Sequence, residues 1–511
     1  VDEEDSSAIN ITFDGIRQRL NFLPLGLDVG GPVISPDGKT LLFTASVGNQ
    51  RNLYSYSLDE LATEPPVARQ LTSTPSAKSD YGFSADSKTV YFLDNGHVNS
   101  MSLEMRIPRA IATTTSFDID FDVDKIATFE QGWATLNRQF YNPKFGGQNW
   151  TRLHDQYLPY IAGSRTPDEM RRVMSLMIGE LNASHSGIIP PDSLPAQLMA
   201  FSPASTPVGR LGLRFAREPY EAGKGLIIRE IIPLSAAALE GSIKAGETLL
   251  AVDGEGVGLQ TNLDDLLQSK VHSRVVLRIG AAGNAAQTRE AIVCPDSAST
   301  EKGLLYRSWV EANRAYVERI SHGKLGYVHI EDMSEQSLNQ LYIDLDVENQ
   351  TKEGVVIDIR DNDGGFVNQY ALDVFTRKNF LTMTPRDGSP APARAALGQR
   401  ALGLPTILVT NQGSLSDAED FTEGYRALEL GKVVGEPTAG WIIYTGSAQL
   451  LDGSTIRVPF IRVQGADGGD MEMHPRPVDI YVERMAGDWL QGKDVQLDRA
   501  VAELLRQVSH S

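Results

Sequence analysis

Ser416 is the residue of this chain best suited to act as a nucleophile. It follows an apolar segment at positions 405–410 and a glycine, Gly413, and it begins a segment with helical character. A serine at a strand-to-helix junction lies at the carboxyl end of a sheet, where unpaired N–H groups of the new helix can stabilise an oxyanion. The simpler interpretation is a helix N-cap, with Asp417 and Glu419 favoured in the first turn. Caps are far more common than nucleophiles.

A serine nucleophile needs a base within hydrogen-bond reach, and histidine is the usual one. His185 lies in a polar loop after a helical segment, next to a serine. His329 alternates within a strand, which is typical of a buried structural histidine, and His322 lies in a turn. His474 lies in a loop. Residue chemistry alone therefore favours His185 only slightly over His474.

Motifs for metal or nucleotide binding do not accompany these residues. The eight histidines lack a His-Glu-x-x-His spacing, and Cys294 has no partner cysteine. Gly364 and Gly365 follow a predicted strand but lack the phosphate-binding P-loop pattern. Adjacent glycines do allow the backbone to approach a substrate closely, so that an N–H can point at a substrate oxygen. We therefore expect no metal and no cofactor.

The composition disfavours several classes of partner. A chain of 511 residues with 41% hydrophobic content is expected to form about three or four domains. Its net charge of −19 disfavours nucleic acid and anionic membrane surfaces, since both would repel it. No apolar run approaches the length of a membrane span. A single cysteine excludes an internal disulfide framework and leaves the compartment undetermined.

The first residue is Val1, and the acidic segment that follows it has no signal-peptide character. We expect that an upstream segment has been removed. The location therefore stays open: it is cytoplasmic, or periplasmic or secreted if an export signal preceded Val1.

An internal repeat marks the first part of the chain. Residues 33–45 recur at residues 82–94, with Ile34 and Phe83 in register. Each copy is a polar turn that leads into an aromatic and β-branched strand, which is typical of propeller blades. Two blades cannot close a ring, since closed propellers use at least about four. We therefore predict that residues 1–115 are the last blades of an incomplete β-propeller.

The next segment is helical. From Val123 the apolar residues fall at helical spacing, and a second helical segment covers residues 167–181. We predict a helical subdomain over residues 116–200, which carries Ser184 and His185 at its exit. A linker rich in proline, serine and alanine follows at residues 189–207.

Residues 201–298 contain a glycine-bearing loop at 209–215, then an apolar strand, then a second strand. This order resembles a PDZ domain. In that fold the loop, which here includes Leu211 and Gly212, donates N–H groups to the terminal carboxylate of a peptide that adds to the sheet edge. The alternative is a small β-rich spacer with an occluded groove.

Residues 299–511 alternate strands and helices, which predicts an α/β core with a mainly parallel sheet. The predicted strands cover residues 324–330, 354–359, 406–410 and 433–435. The helix that starts at Ser416 is predicted to end at Gly431. Parallel sheets carry their sites at the carboxyl ends of the strands, where residues 361–365 and Ser416 both fall. The fold class is therefore multidomain and mixed.

Several motifs occur in an order that resembles the tricorn proteases and, more broadly, the tail-specific or C-terminal-processing serine peptidases. They are Glu-Leu-Asn-Ala-Ser-His at 180–185, the PDZ-like insert, Gly-Lys-Leu-Gly-Tyr-Val-His-Ile at 323–330, Ile-Asp-Ile-Arg-Asp-Asn-Asp-Gly-Gly-Phe-Val at 357–367, the segment 411–417, and Gly-Glu-Pro-Thr-Ala-Gly at 435–440. The ordered set is far more specific than any one motif. Tricorn proteases also carry propellers ahead of their catalytic half.

The resemblance implies Ser416 as nucleophile and His185 as general base. Ser184 and Glu472 would orient and polarise the histidine, with the glutamate acting through the serine. An oxyanion hole would be formed by two backbone N–H groups.

These N–H groups would be those of Gly365 and Asp417, with Gly364 among the substrate-binding residues. Where tricorn proteases have an aspartate that selects basic side chains on the acyl side of the cut, this chain has Met383. An apolar preference is therefore expected, because a buried cation without a counter-charge is costly.

Two further departures from the family pattern bear on mechanism. Tail-specific peptidases use a lysine placed after the serine as base, but that position here is Trp441, which disfavours a Ser-Lys mechanism. After Glu472, the Asn and Gly of tricorn proteases are replaced by Met473 and Pro475, so this loop is expected to differ in shape.

We interpret the chain as a serine peptidase acting on peptides or unfolded polypeptides through an acyl-enzyme on Ser416. One alternative is a non-catalytic peptide-binding scaffold that uses the PDZ-like domain. Another is a Ser-Lys peptidase that uses Lys432 or another lysine. The expected partners are the peptide substrate and, by resemblance to tricorn proteases, further copies of the same chain in a homo-oligomer.

Overall fold

The computed structural model describes residues 12–20, 22–47, 50–59, 61–62, 66–74, 76, 78–112, 118, 120–191, 207–347, 351–378, 380–392 and 402–509. The chain divides into two compact units, Val1–Ile119 and Asp120–Ser511. Most of the linker predicted at residues 189–207 lies outside the described residues.

The first unit contains two four-stranded antiparallel sheets, each with its strands in chain order. The strands are β1 (Val29–Ile34), β2 (Thr40–Val47), β3 (Gln50–Ser57), β4 (Arg69–Gln70), β5 (Lys78–Phe83), β6 (Thr89–Asp94), β7 (His97–Ser102) and β8 (Pro108–Ala110). The repeated turn joins the first two strands of each sheet. In both copies an aspartate, Asp37 or Asp86, accepts hydrogen bonds from the serine hydroxyl two residues earlier and from the N–H group two residues later.

The second unit begins with three helices: α1 (Phe121–Gln139), α2 (Trp150–Gly163) and α3 (Pro167–Gly179). Side-chain caps at Asp120, Asn149 and Thr166 start them. Helices α1 and α3 lie where the spacing predicted them. The sequence did not predict α2, because Pro159 lies inside it and breaks the expected pattern. The short strand β9 (Gly187–Ile189) follows α3.

A β-rich module comes next. Its elements are β10 (Leu213–Phe215), α4 (Arg217–Glu221), β11 (Leu226–Ile231), α5 (Ala236–Glu240), β12 (Thr248–Val252), β13 (Glu255–Gly256), α6 (Leu263–Leu266), β14 (Val275–Ala281) and β15 (Asn284–Val293). The strands form one antiparallel sheet in the order β10-β11-β12-β14-β15, with β13 paired to β12. The module has its own apolar core.

The rest of the chain is an α/β layer. Its elements are α7 (Ala298–Ile320), β16 (Leu325–His329), α8 (Glu335–Val347), β17 (Gly354–Asp358), α9 (Asn368–Thr376), β18 (Thr382–Met383), β19 (Ala391–Pro392), β20 (Thr406–Thr410), α10 (Asp417–Ala427), β21 (Gly431–Gly435), β22 (Tyr444–Gln449), β23 (Thr455–Ile461), β24 (Ile480–Tyr481) and α11 (Val495–Val508). The main sheet has the order β16-β17-β20-β21-β24 and every pairing in it is parallel. Separate apolar cores cover its two faces.

Two features of this layer differ from the sequence prediction. Helix α7 was not predicted, although it runs for 23 residues. Helix α10 ends at Ala427 rather than at Gly431, because Gly431 already pairs with Thr406 in the parallel sheet. Across the described ranges, no helix is both long and apolar enough to cross a bilayer.

A small antiparallel sheet, β22-β23-β9, links distant parts of the second unit. Strand β9 follows the helical segment, whereas β22 and β23 follow the Ser416 helix. Ile456 and Val458 of β23 also pack into the apolar core formed by the three helices. The exit of α3 is therefore held against the carboxyl edge of the parallel sheet.

Candidate active site

Ser416 lies between β20 and α10 in an unusual backbone conformation. Its φ of 57° and ψ of −126° fall in a region that residues with a side chain rarely adopt. The hydroxyl makes no capping hydrogen bond to the helix. Instead, Ser416 Oγ lies 3.1 Å from Nε2 of His185. Ser416 therefore occupies the N-cap position of α10, but its hydroxyl does not cap the helix and is directed at a histidine.

A hydrogen-bonded series continues from His185. Its Nδ1 lies 2.7 Å from Ser184 Oγ. Ser184 Oγ donates to Glu472 Oε2 over 3.0 Å, and the Ser184 N–H donates to Oε1 over 2.6 Å. Because a hydroxyl has one proton and gives it to Glu472, it must accept from Nδ1–H of His185. This tautomer leaves Nε2 unprotonated and facing Ser416, as a general base requires.

Glu472 is held in place from a second direction. Its Oε2 also accepts from the Ile442 N–H over 3.0 Å, so that the carboxylate has three donors. The following residue, Met473, has a positive φ of 62° and donates its N–H to Gly440 O over 2.7 Å. The loop therefore tolerates the two substitutions noted after Glu472 and still directs its carboxylate at Ser184.

Glu419 fixes the backbone beside the nucleophile, a function that the sequence did not reveal. Its buried carboxylate accepts from Thr438 Oγ1, Gly440 N and Trp441 N over 2.6, 2.8 and 2.6 Å. Burial raises the pKa of Glu419. The segment held in this way places Trp441 O to accept from the Ser416 N–H over 3.0 Å. In the sequence, Glu419 shows only the signature of an acidic residue in a first helical turn.

Two backbone N–H groups next to Ser416 are available for a ligand. Within the described part of the chain, neither the Gly365 N–H nor the Asp417 N–H has a hydrogen-bond partner. The glycines allow this arrangement because side chains do not fit. A Cβ on Gly364 would lie 2.5 Å from Ser416 Cβ and 2.8 Å from Asp417 N, and one on Gly365 would lie 2.0 Å from Met333 O. Unpaired N–H groups at a nucleophile can stabilise an oxyanion.

Two cavities open at Ser416, with volumes of about 420 and 40 Å³. Both are lined by His185, Gly365, Phe366, Ser416 and Arg457. The larger cavity adds Asp363, Gly364, Leu415 and Trp441, and the smaller adds Asp417, Asp420 and residues 442–445. Ser416 therefore borders open space that a ligand can enter.

The surroundings of His185 favour its neutral form. Burial, followed by repulsion from the Arg457 guanidinium, lowers the pKa of His185 to about 4. In the smaller cavity, burial and repulsion from Asp417 raise the pKa of Asp420 to about 7. Only the neutral imidazole accepts a proton from the serine. His185 is therefore ready to act as a base even at mildly acidic pH.

We expect kcat/KM to fall at acid pH as His185 becomes protonated, with the midpoint at about pH 4–5. This is roughly two pH units below the midpoint for an unperturbed histidine. The measurement is a pH profile with a peptide substrate, with circular dichroism at each pH to verify folding. The variant Asp420→Asn should be measured beside the parent, because Asp420 titrates near pH 7 and would add its own limb. A limb near pH 6.5 in the folded Asp420→Asn variant would contradict the expectation.

The structure brings some predicted residues to this site and leaves others elsewhere. Met383 lies on β18, is 46% exposed, and lines neither cavity. Leu211 is buried in the core of the β-rich module, and the Gly212 N–H donates to the Glu301 carboxylate over 3.2 Å. Lys432 forms an ion pair with a glutamate of α11 and lines neither cavity.

Of the other candidate bases, His329 is buried, with its ring nitrogens bonded to Tyr306 Oη and Arg360 O, as expected of a structural histidine. His474 contacts the backbone carbonyl of Glu472 and does not line the cavities. The geometry therefore singles out His185 as the histidine beside Ser416.

A strained serine at the edge of a parallel α/β sheet, hydrogen-bonded to a histidine and flanked by free N–H groups, is the arrangement that serine hydrolases use. Comparison with known families agrees with this class. Residues 324–482 match peptidase family S41, and residues 125–179 match the tricorn protease C1 domain.

Curated relatives extend the similarity. The tricorn protease of Thermoplasma acidophilum is 25% identical over 497 residues, which cover 95% of this chain and 45% of that protein. Tricorn protease homolog 1 of Streptomyces coelicolor is 28% identical over 441 residues, covering 82% of this chain and 39% of that protein. The chain thus spans less than half the length of these relatives.

One solved structure, a crystal structure of the tricorn protease, superposes with a TM-score of 0.79 at 23% identity, covering 94% of this chain and 47% of that one. The likeness shows that the fold is shared. The match to peptidase family S41 covers the part of the chain that contains Ser416, and tricorn proteases are relatives of the chain over most of its length. The resemblance inferred from the ordered motifs is confirmed.

Proposed function

We propose that the chain cleaves peptides or unfolded polypeptides through an acyl-enzyme on Ser416. The observation that carries this proposal is the 3.1 Å hydrogen bond between Ser416 Oγ and His185 Nε2. Oγ attacks the peptide carbonyl carbon as Nε2 takes its proton, and the same proton then passes to the leaving amine. Water, deprotonated by His185, hydrolyses the ester and regenerates the serine.

Four further groups support these steps. Ser184 and Glu472 act through His185: they hold the tautomer and compensate the positive charge that the ring gains during attack. The N–H groups of Gly365 and Asp417 are proposed to bind the oxyanion of the tetrahedral intermediate. They are suited to it because they lie next to Ser416 and have no other acceptor in the described chain.

We also propose a division into domains: incomplete propeller blades over residues 1–115, a helical subdomain over 116–200, a PDZ-like domain over 201–298 and a peptidase core over 299–511. The matching turns in the two four-stranded sheets support the assignment of blades. The antiparallel sheet that follows the loop at 209–215 supports the assignment of a PDZ-like domain.

Leu211 and Gly212 are proposed to bind the terminal carboxylate of a peptide. In support, the Gly212 N–H already donates to a carboxylate, that of Glu301 on α7. A peptide would have to displace Glu301 from this loop. Two other expectations stay predictions: that Met383 favours an apolar side chain on the acyl side of the cut, and that the chain forms a homo-oligomer.

The test is labelling with a fluorophosphonate, which forms a covalent adduct with a serine that an adjacent base activates. We expect an adduct on Ser416 in the folded protein, located by peptide mapping with mass spectrometry. Ser416→Ala and the heat-denatured protein serve as controls and should stay unlabelled. Absence of an adduct on Ser416 in the folded protein would refute the proposal and favour a non-catalytic peptide-binding scaffold.

A further inference from the structure

Asn362 is a buried polar residue that the steps proposed above do not use. It lies in the segment between β17 and the glycine pair at 364–365, and its side chain is shielded from solvent. Burial of an amide group is unfavourable unless its donor and its acceptor are both hydrogen-bonded. The partners of Asn362 therefore show which parts of the chain this residue holds.

The hydrogen bonds of Asn362 reach three segments. Its Oδ1 accepts from the Gly364 N–H over 2.9 Å, and its Nδ2 donates to Ile330 O, just after β16, over 2.8 Å. Its backbone carbonyl accepts from the Leu415 N–H over 3.0 Å. One residue therefore joins the glycine pair, the end of β16 and the turn that carries Ser416.

The peptide unit between Gly364 and Gly365 carries one of the two free N–H groups. In a planar trans peptide the carbonyl and the N–H point in opposite directions, so that a bond to the carbonyl also fixes the N–H. Gly364 O accepts from the Met333 N–H over 2.8 Å, and the Phe366 N–H donates to Met333 O over 2.8 Å. The Gly365 N–H is therefore directed away from the Met333 N–H.

Asn362 fixes both the glycine pair and the segment to which the pair is bonded. Oδ1 holds the N–H of Gly364, and Nδ2 holds Ile330, three residues before Met333. Within the described chain, no other side chain hydrogen-bonds to the backbone of residues 363–365. Asparagine suits this position because one short side chain offers a donor and an acceptor, whereas an ionised aspartate has no donor and leucine has neither.

We propose that Asn362 is a positioning residue that directs the Gly365 N–H at the oxyanion. The inference rests on the proposed peptidase function. Asn362 lines neither cavity, so it acts through the glycine pair and the Ser416 turn and does not touch the substrate. Because the oxyanion forms only during the reaction, loss of the side chain should raise the barrier to reaction and leave the binding of an unreacted ligand nearly unchanged.

The rate of labelling by a fluorophosphonate tests the proposal without a known substrate. Ser416 Oγ forms a bond to phosphorus, fluoride leaves, and His185 takes the hydroxyl proton. The phosphoryl oxygen gains negative charge during attack, as a peptide oxygen would. Asn362→Ala should therefore be labelled about tenfold to a hundredfold more slowly than the parent, since one donor is displaced but not removed.

Thr406→Val is the matched control. Thr406 is buried, begins β20 in the same sheet, and its Oγ1 lies 2.7 Å from Tyr425 Oη. Its substitution removes a buried hydrogen bond at the end of the strand opposite to Ser416. We expect a lower melting temperature with the labelling rate of the parent. A comparable slowing in Thr406→Val would show that the effect is a general loss of stability, and the proposal would be wrong.

A pair of ligands distinguishes reaction at the site from simple binding. The serine hydroxyl adds across the carbonyl of acetyl-alanyl-alanyl-leucinal to give a hemiacetal, whereas the corresponding alcohol cannot react. In titration calorimetry, Asn362→Ala should bind the aldehyde about tenfold more weakly than the parent does and bind the alcohol within about twofold of the parent. An equal loss of affinity for both ligands would indicate a distorted cleft and contradict the proposal.

Asn362→Ser provides a second variant if the alanine variant does not fold. A serine hydroxyl accepts from the N–H two residues later in the same type of turn, although more weakly, and the shorter side chain leaves Ile330 O without its donor. We expect labelling to be about threefold to tenfold slower than in the parent. A folded serine variant that reacts at the rate of the parent would overturn the proposal.

The outcomes separate this inference from the peptidase function. A parent protein that resists the fluorophosphonate would refute both. A parent that is labelled on Ser416, with a folded Asn362→Ala variant that reacts equally fast, would retain the peptidase and refute the role of Asn362 alone.

Discussion

Replacement of His185 by alanine should lower kcat/KM for a peptide substrate by roughly 10⁴- to 10⁶-fold. The variant keeps Ser416 and the free N–H groups, but among the described residues no other basic group is hydrogen-bonded to Ser416 Oγ. His185 is the basic group bonded to Ser416 Oγ in the structure. The measurement is peptide hydrolysis under conditions in which circular dichroism shows parent and variant to be folded.

The matched comparison is Lys432→Ala, which tests the lysine alternative directly. Lys432 lies on β21, where its ammonium is 2.6 Å from a carboxylate oxygen of Glu503. We expect its removal to change kcat/KM by less than about twofold, as for an exposed ion pair away from the site. If His185→Ala stays active and Lys432→Ala does not, the base is a lysine and the histidine mechanism is wrong.

Gly364→Ala should reduce kcat by about a hundredfold to a thousandfold. The added Cβ would lie 2.5 Å from Ser416 Cβ and 2.8 Å from Asp417 N, so that the nucleophile and one free N–H must both move. The φ of +83° at this position adds backbone strain for any residue with a side chain. Because both groups act on the transition state, the effect should appear in kcat more than in KM.

The control variant Gly323→Ala distinguishes the effect of backbone strain from the effect of a steric clash beside the nucleophile. Gly323 has a similar φ of +79°, but no atom lies within 4 Å of the position of its Cβ. This variant should lose stability, seen as a lower melting temperature, and keep its kcat. A folded Gly364→Ala variant with the kcat of the parent would show that the glycine is not needed beside the nucleophile.

The parallel sheet explains why the positions of several site residues could be predicted from the sequence. Apolar strands that alternate with helices imply that strand ends meet at one edge, and this alternation alone predicts that residues 361–365 and Ser416 lie close together. The position of His185, their partner, could not be predicted in this way. Its place depends on the pairing of β9 with β23, and a three-residue strand after a helix has no recognisable pattern.

Other site residues were hidden for a related reason. Glu419 has the signature of an acidic residue in a first helical turn, and only its burial against residues 438–441 reveals that it holds the backbone. Arg457 looks like any polar residue that alternates along a strand. Its place beside the cavities at Ser416 depends on the pairing of β23 with β9 and β22. Helix α2 escaped prediction because Pro159 lies within it.

The spacing of the hydrogen-bonded series has a consequence for the cell that makes this protein. His185 and Ser416 are separated by 231 positions, and Ser184 and Glu472 by 288. During translation, His185 has therefore left the ribosome long before Ser416 and Glu472 are synthesised. A chain that ends before Ser416 or Glu472 therefore lacks part of the proposed active site whatever its conformation.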